Sequence, residues 1–398
     1  MLSAYFYDGL RTAFGRHGGG LAPVRPDDLL ASVTRSLMER NPDAPGLIED
    51  IVVGCANQAG EDSRCVARHA GLVAGLPIDV GGTVIQRNCG SGLGAIAAAS
   101  HAITAGEGSV MLSGGVESMS RAAFVMSKAE SPYSRTIQIF DSGVGARFPN
   151  PKVEKEFGDD SMPQTADNLA VEHGLSREDC DAFAFRSQDN YAKALADGFF
   201  AEEIAAVAIA QRKGDPVIID RDEQPRLSGM DTLQKLRPLH PGGVTTAASS
   251  SGINDGAVAL LLGDQAAQEK LGRPPRLKIL ASATAGVPPR IMGYGPVPAS
   301  QKALARAGLT IADMDVIEIN EAFAAQVLAC LKGLGVDFAD TRVNPNGGAI
   351  AVGHPLGASG PRIFLTAARQ LERIGGRYGL VSMCIGVGQG IAIVVERV

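Results

Sequence analysis

The chain has 398 residues, of which 45% are hydrophobic, and its formal net charge is -6. This length is enough for two or three domains with their own cores, whereas the acidic balance argues against nucleic acid as a partner, since that binding requires a broad basic surface. No apolar run reaches the roughly 18 residues that a membrane span needs, and six cysteines without a C-x-x-C pair fit neither a disulfide scaffold nor a zinc site. We therefore predict a cytoplasmic protein that binds no membrane and no metal.

The first predicted α/β unit carries a cysteine in a glycine-rich turn. A buried strand that runs into a polar turn is expected at residues 51–57, and Cys89 follows within the turn 86–94. A helix of small residues should cover 93–104, and a strand that ends in glycines should cover 110–115. Because the free amide groups at a helix start stabilise a thiolate, we expect a lowered pKa for the Cys89 thiol.

Residues 121–253 differ in composition, with more charge and proline, and an amphipathic helix is predicted over 177–196. We interpret this segment as an inserted, largely helical and irregular domain that covers the site. An anionic ligand of an acidic protein needs a local basic patch, and this segment offers basic residues for one: Arg147, Lys152, Arg212, Lys213, Arg226, Lys235 and Arg237.

The C-terminal part repeats the order of the first unit. A strand that runs into a polar turn is expected at 316–322, a helix at 361–372 and a strand at 378–384, with His354 in a glycine-rich turn before the helix. Strand, turn, helix and strand in this order indicate α/β layering with parallel strands.

The two units also agree in spacing. From Val52 to Cys89 there are 37 positions, and from Ile317 to His354 there are 37 as well. We hypothesise two similar halves, in which Cys89 and His354 lie at equivalent helix N-termini that face each other across a pseudo-two-fold axis.

Cys89, His354 and Cys384 are the side chains that acyl transfer between thioesters requires: a nucleophile, a base, and a second acid/base. Glycines at 386, 388 and 390 follow Cys384, and their N–H groups suit an oxyanion hole. Each residue alone has a structural explanation as a buried core side chain, and Asn320 has one as a helix N-cap. The combination favours catalysis.

A dinucleotide-binding site is the competing interpretation of the first turn. Residues 90–95 match the pattern Gly-x-Gly-x-x-Ala and open a helix after an apolar run. That pattern also needs an acidic residue at the end of the next strand to hold the ribose, but the strand at 110–115 ends in glycines and Glu117 comes only after them. A nicotinamide-dependent oxidoreductase is therefore disfavoured, and we expect no permanently bound cofactor.

Taken together, the motifs resemble those of thiolases, in order and over nearly the whole chain. The segments that carry the resemblance are 89–92, 115–121, 251–256, 320–324, 344–357 and 384–390. Within thiolases, residues 56–62, 145–151 and 160–166 are most similar to the β-ketoadipyl-CoA branch of aromatic-acid degradation.

The resemblance implies an α/β fold in which two similar βαβαβαββ halves build a five-layered α/β/α/β/α core. The N-terminal half would comprise residues 1–120 plus 254–272, and the C-terminal half 273–398. Residues 121–253 would form an inserted loop domain that binds coenzyme A. The resemblance also implies a homodimer or a dimer-of-dimers tetramer, and a ping-pong reaction in which coenzyme A is a substrate.

Residue roles follow from matching motif positions. Cys89 would be the acylated nucleophile, His354 its activator, and Cys384 the second acid/base, while Asn320 would hold a water at the thioester oxygen that His354 polarises. The backbone N–H groups of Cys89 and Gly386 would form the other oxyanion hole. The implied coenzyme A contacts are Ser251 at the pantetheine, Arg226 near the adenine, and Met162, Ala247, Ile253, Ala322 and Phe323 along the tunnel.

A β-ketoadipyl chain ends in a carboxylate, which needs a cation or hydrogen-bond donors when it is buried. Arg147 is the predicted partner of this carboxylate, because it lies in the segment 145–151 that carries the subfamily resemblance.

Several positions depart from the usual thiolase pattern. Asn88 stands where a bulky apolar residue is usual, Ala248 to Ser250 differ from the usual Gly-Asn-Ala, and His240 stands where many thiolases have an aromatic residue. Ser161, rather than a histidine, precedes Met162, which argues against a dedicated acetoacetyl-CoA enzyme.

Four alternative functions stay open from the sequence. Within thiolases these are an acetyl-CoA acetyltransferase and a general fatty-acid 3-ketoacyl-CoA thiolase. A condensing β-ketoacyl synthase is disfavoured by Cys384, since such enzymes normally have histidine there. A non-catalytic coenzyme A-binding relative is disfavoured by the presence of all three reactive side chains.

Overall fold

The computed structural model describes residues 2–398. The strands are β1 (Ala4–Thr12), β2 (Gly15–Arg16), β3 (Asp50–Gly54), β4 (Thr83–Ile85), β5 (Val110–Ser118), β6 (Phe124–Met126), β7 (Ile139–Asp141), β8 (Ile204–Ala205), β9 (Val207–Ile209), β10 (Val217–Ile219), β11 (Asn254–Gly263), β12 (Leu277–Gly286), β13 (Val316–Ile319), β14 (Tyr378–Ile385) and β15 (Gln389–Arg397). The helices are α1 (Pro26–Arg40), α2 (Val66–Ala74), α3 (Ser91–Ala105), α4 (Pro151–Phe157), α5 (Met162–His173), α6 (Arg177–Ala196), α7 (Met230–Gln234), α8 (Ala267–Leu271), α9 (Pro296–Ala307), α10 (Ala324–Leu334), α11 (Ala349–Val352) and α12 (Leu356–Ile374). Short 3-10 helices lie at Pro45–Leu47, Met119–Arg121, Pro289–Tyr294 and Ile311–Asp313.

One large mixed sheet runs through both halves, in the order β13-β14-β15-β12-β1-β11-β5-β3-β4, with β2 and β8 paired beside this path. β3 is parallel to β4 and β5, and β13 is parallel to β14, as the strand–helix–strand pattern predicts. The halves join where β1 pairs with β12, with Ala4 opposite Ile279 and Phe6 opposite Leu277. The two half sheets are therefore hydrogen-bonded to each other.

The helices and the two half sheets form five layers, which are held together by three hydrophobic cores. One core packs α1 and α2 against the N-terminal strands, a second surrounds α3 and α12 between the two half sheets, and a third packs α9 and α10 against the C-terminal strands. The predicted α/β/α/β/α order is confirmed, with the apolar side of each outer helix turned to its half sheet.

The central helices α3 and α12 approach closely at their N-terminal ends. A Cβ atom at Gly92 would overlap the carbonyl oxygen of Gly357 and the ring of Pro361, so only glycine fits there. α3 begins two residues after Cys89, and α12 begins two residues after His354. The predicted equivalence of the two positions agrees with this packing.

Between the halves, residues 121–253 contain the hairpins β6–β7 and β9–β10 and the helices α4 to α7. The helix predicted at 177–196 is confirmed as α6, which starts with a capping box between Ser176 and Asp179. This segment also reaches the main sheet, because β8 pairs in parallel with β1, with Ile204 opposite Arg11.

Two predicted boundaries were wrong. The strand expected at 110–115 continues to Ser118, and its glycines lie inside β5, where a Cβ at Gly115 would overlap the carbonyl oxygen of Gly357. α12 starts at Leu356 instead of Pro361, which lies inside the helix although proline favours a first turn. Within residues 2–398, no helix is long and apolar enough to cross a membrane.

Candidate active site

Cys89 lies in a tight turn directly before α3. The preceding residue, Asn88, has a positive φ of 46°, a conformation that asparagine tolerates better than most residues. The Ser91 hydroxyl donates to the carbonyl oxygen of Asn88 at 2.6 Å and accepts from the N–H of Arg87 at 2.9 Å. Ser91 thus holds the turn on both sides of the half-buried Cys89.

The pKa of the Cys89 thiol is raised to about 11, mainly because the side chain is desolvated. The backbone N–H groups of Gly386 and of Cys89 itself act in the opposite direction and favour the thiolate. The expectation of a lowered pKa was wrong for the free protein, because desolvation outweighs the amide groups at the helix start.

His354 is held by its backbone and by its ring. Its N–H donates to Asn254 Oδ1 at 2.9 Å, and its Nδ1 lies 2.6 Å from the hydroxyl of Ser359. That hydroxyl donates to the carbonyl oxygen of Pro355 at 2.9 Å, so it accepts from Nδ1–H. This arrangement leaves the buried Nε2 unprotonated, without a hydrogen-bond partner among residues 2–398.

The pKa of His354 is lowered to about 4, chiefly by burial and also by the charge of Arg362. The imidazole is therefore neutral at physiological pH and has a lone pair on Nε2. Cys89 is then a neutral thiol and His354 a neutral imidazole, the protonation states that a general acid and a general base require.

Cys384 lies near the end of β14 and is 1% exposed. Its pKa is raised well above the usual value by burial and, next, by the neighbouring Cys89. The glycine turn after it faces Cys89: Gly386 directs its N–H to Cys89, and its carbonyl oxygen accepts from Asn88 Nδ2 at 3.3 Å. The structure thus brings both thiols and the Gly386 amide together.

Asn320 directly follows β13, beside the strand that carries Cys384, and its N–H donates to the carbonyl oxygen of Ser382 at 3.0 Å. It does not cap a helix, since α10 begins only at Ala324. Its side-chain amide is fully buried, and neither amide atom has a hydrogen-bond partner within the described chain. Because such burial is costly, this amide is a strong candidate for contact with a ligand or a water.

The residues expected to bind coenzyme A form two connected groups. Ser251 donates its N–H to the carbonyl oxygen of Ala322 at 3.0 Å, and Ser250 pairs with Phe323 in an isolated bridge. The Arg226 guanidinium donates to the carbonyl oxygen of Ala247 at 3.1 Å. Met162 and Ile253 are 42% and 39% exposed.

Arg147 is half-buried in the inserted segment. Its guanidinium donates to the carbonyl oxygen of Ser142 at 2.9 Å. Burial raises the pKa of the nearby Asp62, and the charge of Arg147 partly opposes that shift. In the free protein this arginine is thus held by its own segment.

Sequence reasoning did not identify three residues that support the site. Ser359 orients the histidine ring, Asn254 holds the histidine backbone, and Glu117 accepts from the N–H of Gly357 at 2.8 Å. Asn254 and Glu117 lie in motif segments already recognised, 251–256 and 115–121. The signal available in the sequence was an acidic or amide residue inside a glycine-rich motif, which could have indicated these two supporting residues.

The chain matches two family models, the thiolase N-terminal domain over residues 5–266 and the thiolase C-terminal domain over residues 273–397. It is 55% identical over 401 residues to a β-ketoadipyl-CoA thiolase of Acinetobacter baylyi, with full coverage of both chains. It is 54% identical over 404 residues to a 3-oxoadipyl-CoA/3-oxo-5,6-dehydrosuberyl-CoA thiolase of Escherichia coli, again with full coverage.

A solved structure agrees with these relatives. The acetyl-CoA acetyltransferase of Bacillus anthracis superposes with a TM-score of 0.92 at 33% identity, covering 100% of this chain and 99% of that one. On fold, site and full-length similarity, the chain belongs to the thiolase family.

Proposed function

We propose that this thiolase cleaves β-ketoadipyl-CoA with coenzyme A to give succinyl-CoA and acetyl-CoA. The observation that carries the proposal is the full-length identity of 52–55% to several relatives named β-ketoadipyl-CoA thiolase, against 44% to one named 3-ketoacyl-CoA thiolase. The juxtaposition of Cys89, Cys384 and the Gly386 amide supports the chemistry.

In the first half-reaction, Cys89 attacks the 3-keto carbon while its proton passes to Nε2 of His354. The C2–C3 bond then breaks, succinyl-Cys89 remains, and acetyl-CoA leaves as an enolate. The thiol of Cys384 protonates C2 of this enolate and becomes a thiolate. The raised pKa of Cys384 suits this role, since a weakly acidic thiol that is fully protonated at neutral pH is ready to donate.

In the second half-reaction, a new coenzyme A enters and gives its thiol proton to the Cys384 thiolate. The coenzyme A sulfur attacks the thioester carbonyl, and the C–S bond to Cys89 breaks. His354 returns its proton to the departing sulfur, which restores both residues. No proton or electron is left over in the full cycle.

Two groups of donors would stabilise the oxyanions. The N–H groups of Cys89 and Gly386 would donate to the thioester oxygen of the acyl-enzyme. Protonated His354, with a water held by the Asn320 amide, would donate to the thioester oxygen of the departing enolate. Each such donor contributes about 3 to 4 kcal/mol in acyl-transfer enzymes. Coenzyme A would lie along Ser251, Phe323 and Met162, with Arg226 near the adenine.

We also propose a homodimer or a dimer of dimers in the cytoplasm. β4 is the last strand at one edge of the main sheet as described for residues 2–398, so its outer side is open to a second copy. Apolar side chains of the β6–β7 hairpin are exposed as well, including Phe124 at 76% and Ile139 at 63%. All six cysteines are free, which fits a reducing compartment.

The substrate is tested by coenzyme A-dependent cleavage of β-ketoadipyl-CoA, acetoacetyl-CoA and an uncharged medium-chain 3-ketoacyl-CoA. We expect the highest kcat/KM with β-ketoadipyl-CoA. A clear preference for acetoacetyl-CoA would instead assign an acetyl-CoA acetyltransferase, the activity named for the Bacillus anthracis neighbour.

The carboxylate partner is tested by Arg147→Ala. If Arg147 leaves the Ser142 carbonyl to bind the substrate carboxylate, the variant should lose about 1.5 to 3 kcal/mol of transition-state stabilisation with β-ketoadipyl-CoA, measured as kcat/KM. Activity on an uncharged chain of similar length is the control. Equal losses on both substrates would show that Arg147 only supports its own segment.

A further inference from the structure

Glu117 is a buried carboxylate that the thiolase chemistry does not use directly. It lies near the end of β5 and is 1% exposed. Its oxygens accept three backbone N–H bonds, from Ala56 at 3.0 Å, from Asn57 at 2.9 Å and from Gly357 at 2.8 Å. A carboxylate taken out of water needs such partners, and here they are backbone amides of separate segments.

These three amides belong to the two different halves. Ala56 and Asn57 lie in the turn after β3, whereas Gly357 is the second residue of α12, three positions after His354. Glu117 therefore caps the N-terminus of a 19-residue helix from a strand of the opposite half.

The turn that presents His354 is thus held at both ends. Asn254 accepts from the N–H of His354 itself, and Glu117 accepts from Gly357. Gly353 adds a further restraint, because its φ of 108° and its contact with the Asn254 side chain exclude any larger residue. Ser359, which fixes the imidazole tautomer, also lies in the first turns of α12. A shift of this helix would therefore move the imidazole of His354 together with the hydroxyl of Ser359.

We propose that Glu117 is a positioning residue, which anchors the first turn of α12 and thereby holds in place the turn that carries His354. Such an anchor matters because a displacement of a catalytic side chain by about 1 Å is enough to lower the rate about a hundredfold. The proposal rests on the Cys89–His354 reaction of a thiolase and does not depend on the acyl chain that the enzyme prefers.

A cation site is the competing explanation. Cys55, Asp62 and Glu117 each offer one ligand atom, and these atoms lie within 4.8 Å of one another. However, the Cys55 thiol donates to the carbonyl oxygen of Asn57 at 2.8 Å, and Asp62 accepts from the N–H of Gly60 at 2.9 Å. The Cys55 thiol, one oxygen of Asp62 and both oxygens of Glu117 thus already bond to the backbone, and the thiol also lies 3.9 Å from Glu117 Oε1.

The titration of Glu117 provides a specific signature. Burial raises its pKa to about 7. The titratable groups that interact with it electrostatically are Cys55, Asp62 and Cys89. Protonation turns one oxygen into a donor that opposes a backbone N–H. Activity should therefore fall as the pH drops through about 7, whereas the neutral state of His354 persists to about pH 4.

The test is Glu117→Gln, which keeps the size of the side chain but places an NH2 group against a backbone N–H. With the best substrate of the wild type, kcat should fall about 10- to 100-fold, while KM for coenzyme A stays within about twofold. The acid limb near pH 7 should disappear. Glu117→Asp retains the carboxylate and should recover part of the rate.

A matched control is Asp315→Asn. Asp315 directly precedes β13, at the opposite end of this strand from Asn320. It accepts two backbone N–H bonds, from Arg377 at 2.7 Å and from Tyr378 at 3.0 Å. This variant should lose stability and keep both kcat and the pH profile.

Three results would overturn the proposal. The first is an unchanged kcat in Glu117→Gln, and the second is an unchanged acid limb in either Glu117 variant. The third is stabilisation of the wild type, but not of Glu117→Gln, by Zn²⁺ or Mg²⁺ in a thermal shift assay, which would assign a cation site. If Glu117→Gln does not fold, the pH profile of Glu117→Asp decides, since its acid limb should shift with the new carboxylate.

Discussion

Cys89 and His354, the residues proposed to react first, are both neutral in this structure, because burial shifts the pKa of each away from its charged form. The pKa of Cys89 is about 11 and that of His354 about 4. A thiolate–imidazolium pair is thus disfavoured until a substrate provides an oxyanion and fills the site. Alkylation of Cys89 in the free protein should be slow at neutral pH, since the thiolate is the nucleophile.

Ser359 determines which ring nitrogen of His354 is free, so Ser359→Ala should slow the reaction. We expect kcat to fall about 3- to 10-fold, the effect of losing one hydrogen bond of about 1 kcal/mol, because Nδ1–H is left unpaired and the other tautomer becomes accessible. Ser100→Ala is the control: Ser100 also bonds the carbonyl oxygen four residues earlier, at 2.7 Å, but within α3. Equal kcat values for the two variants would contradict the assignment.

Asn88 has two separable functions in the turn before Cys89. It tolerates a positive φ, and its amide bonds the carbonyl oxygen of Gly386, whose N–H faces Cys89. Asn88→Gly should keep the fold but acylate more slowly, because only the amide is lost. Asn88→Leu should also be less stable by about 1 kcal/mol, since leucine is strained at this φ.

These effects are measured as the rate of acyl-Cys89 formation by quenched-flow mass spectrometry and as denaturant midpoints. Acylation by Asn88→Gly at the wild-type rate would show that the Gly386 amide needs no support from Asn88.

At the scale of elements, the site depends on the contact between α12 and the N-terminal strands. Gly115 in β5 and Gly92 in α3 both pack against the backbone of Gly357. Since α12 begins two residues after His354, the close approach of backbones determines the distance between the two reactive turns.

Gly115→Ala should therefore be strongly destabilising, because its Cβ would overlap the Gly357 carbonyl oxygen, which has no side-chain freedom to move. We expect a loss of at least about 1 to 3 kcal/mol in the free energy of unfolding, the usual cost of overpacking. Gly46→Ala is the control, since Gly46 has open space around it and no positive φ. Similar denaturant midpoints for both variants would argue against this close contact.

At the scale of the whole molecule, burial shifts titrations in opposite directions. His354 has a lower pKa in the folded protein, so between about pH 4 and 6.5 the unfolded chain binds more protons and stability falls as the pH falls. Glu117 has a higher pKa in the folded protein, so between about pH 4.5 and 7 its contribution to stability falls as the pH rises. The two contributions oppose each other near pH 5 to 6.

His354→Asn removes one of these contributions. Relative to the wild type, the variant should gain about 3 kcal/mol in the free energy of unfolding as the pH drops from 6.5 to 4, the linkage value for a shift of this size. Urea unfolding of both proteins across this range measures the difference. A constant difference between them would show that His354 titrates normally in the folded protein.

Helices and turns that are determined by a few neighbouring residues were predictable from the sequence. α6 starts at its capping box and has its predicted bounds, and the turns of Cys89 and His354 lie directly before helices, as their glycines indicate. Helix caps and turn preferences depend on local backbone chemistry, and motif order was sufficient for the family.

The tertiary structure alone decided the properties that depend on distant segments. The raised pKa of Cys89 was mispredicted because desolvation comes from packing around the turn, which outweighs the local amide groups. The free Nε2 of His354 depends on Ser359, and the anchor at Gly357 is a carboxylate 240 residues earlier in the chain. Sequence motifs predict which side chains react, but burial and contacts between the halves determine the protonation states and orientations of these side chains, because both depend on the packed interior.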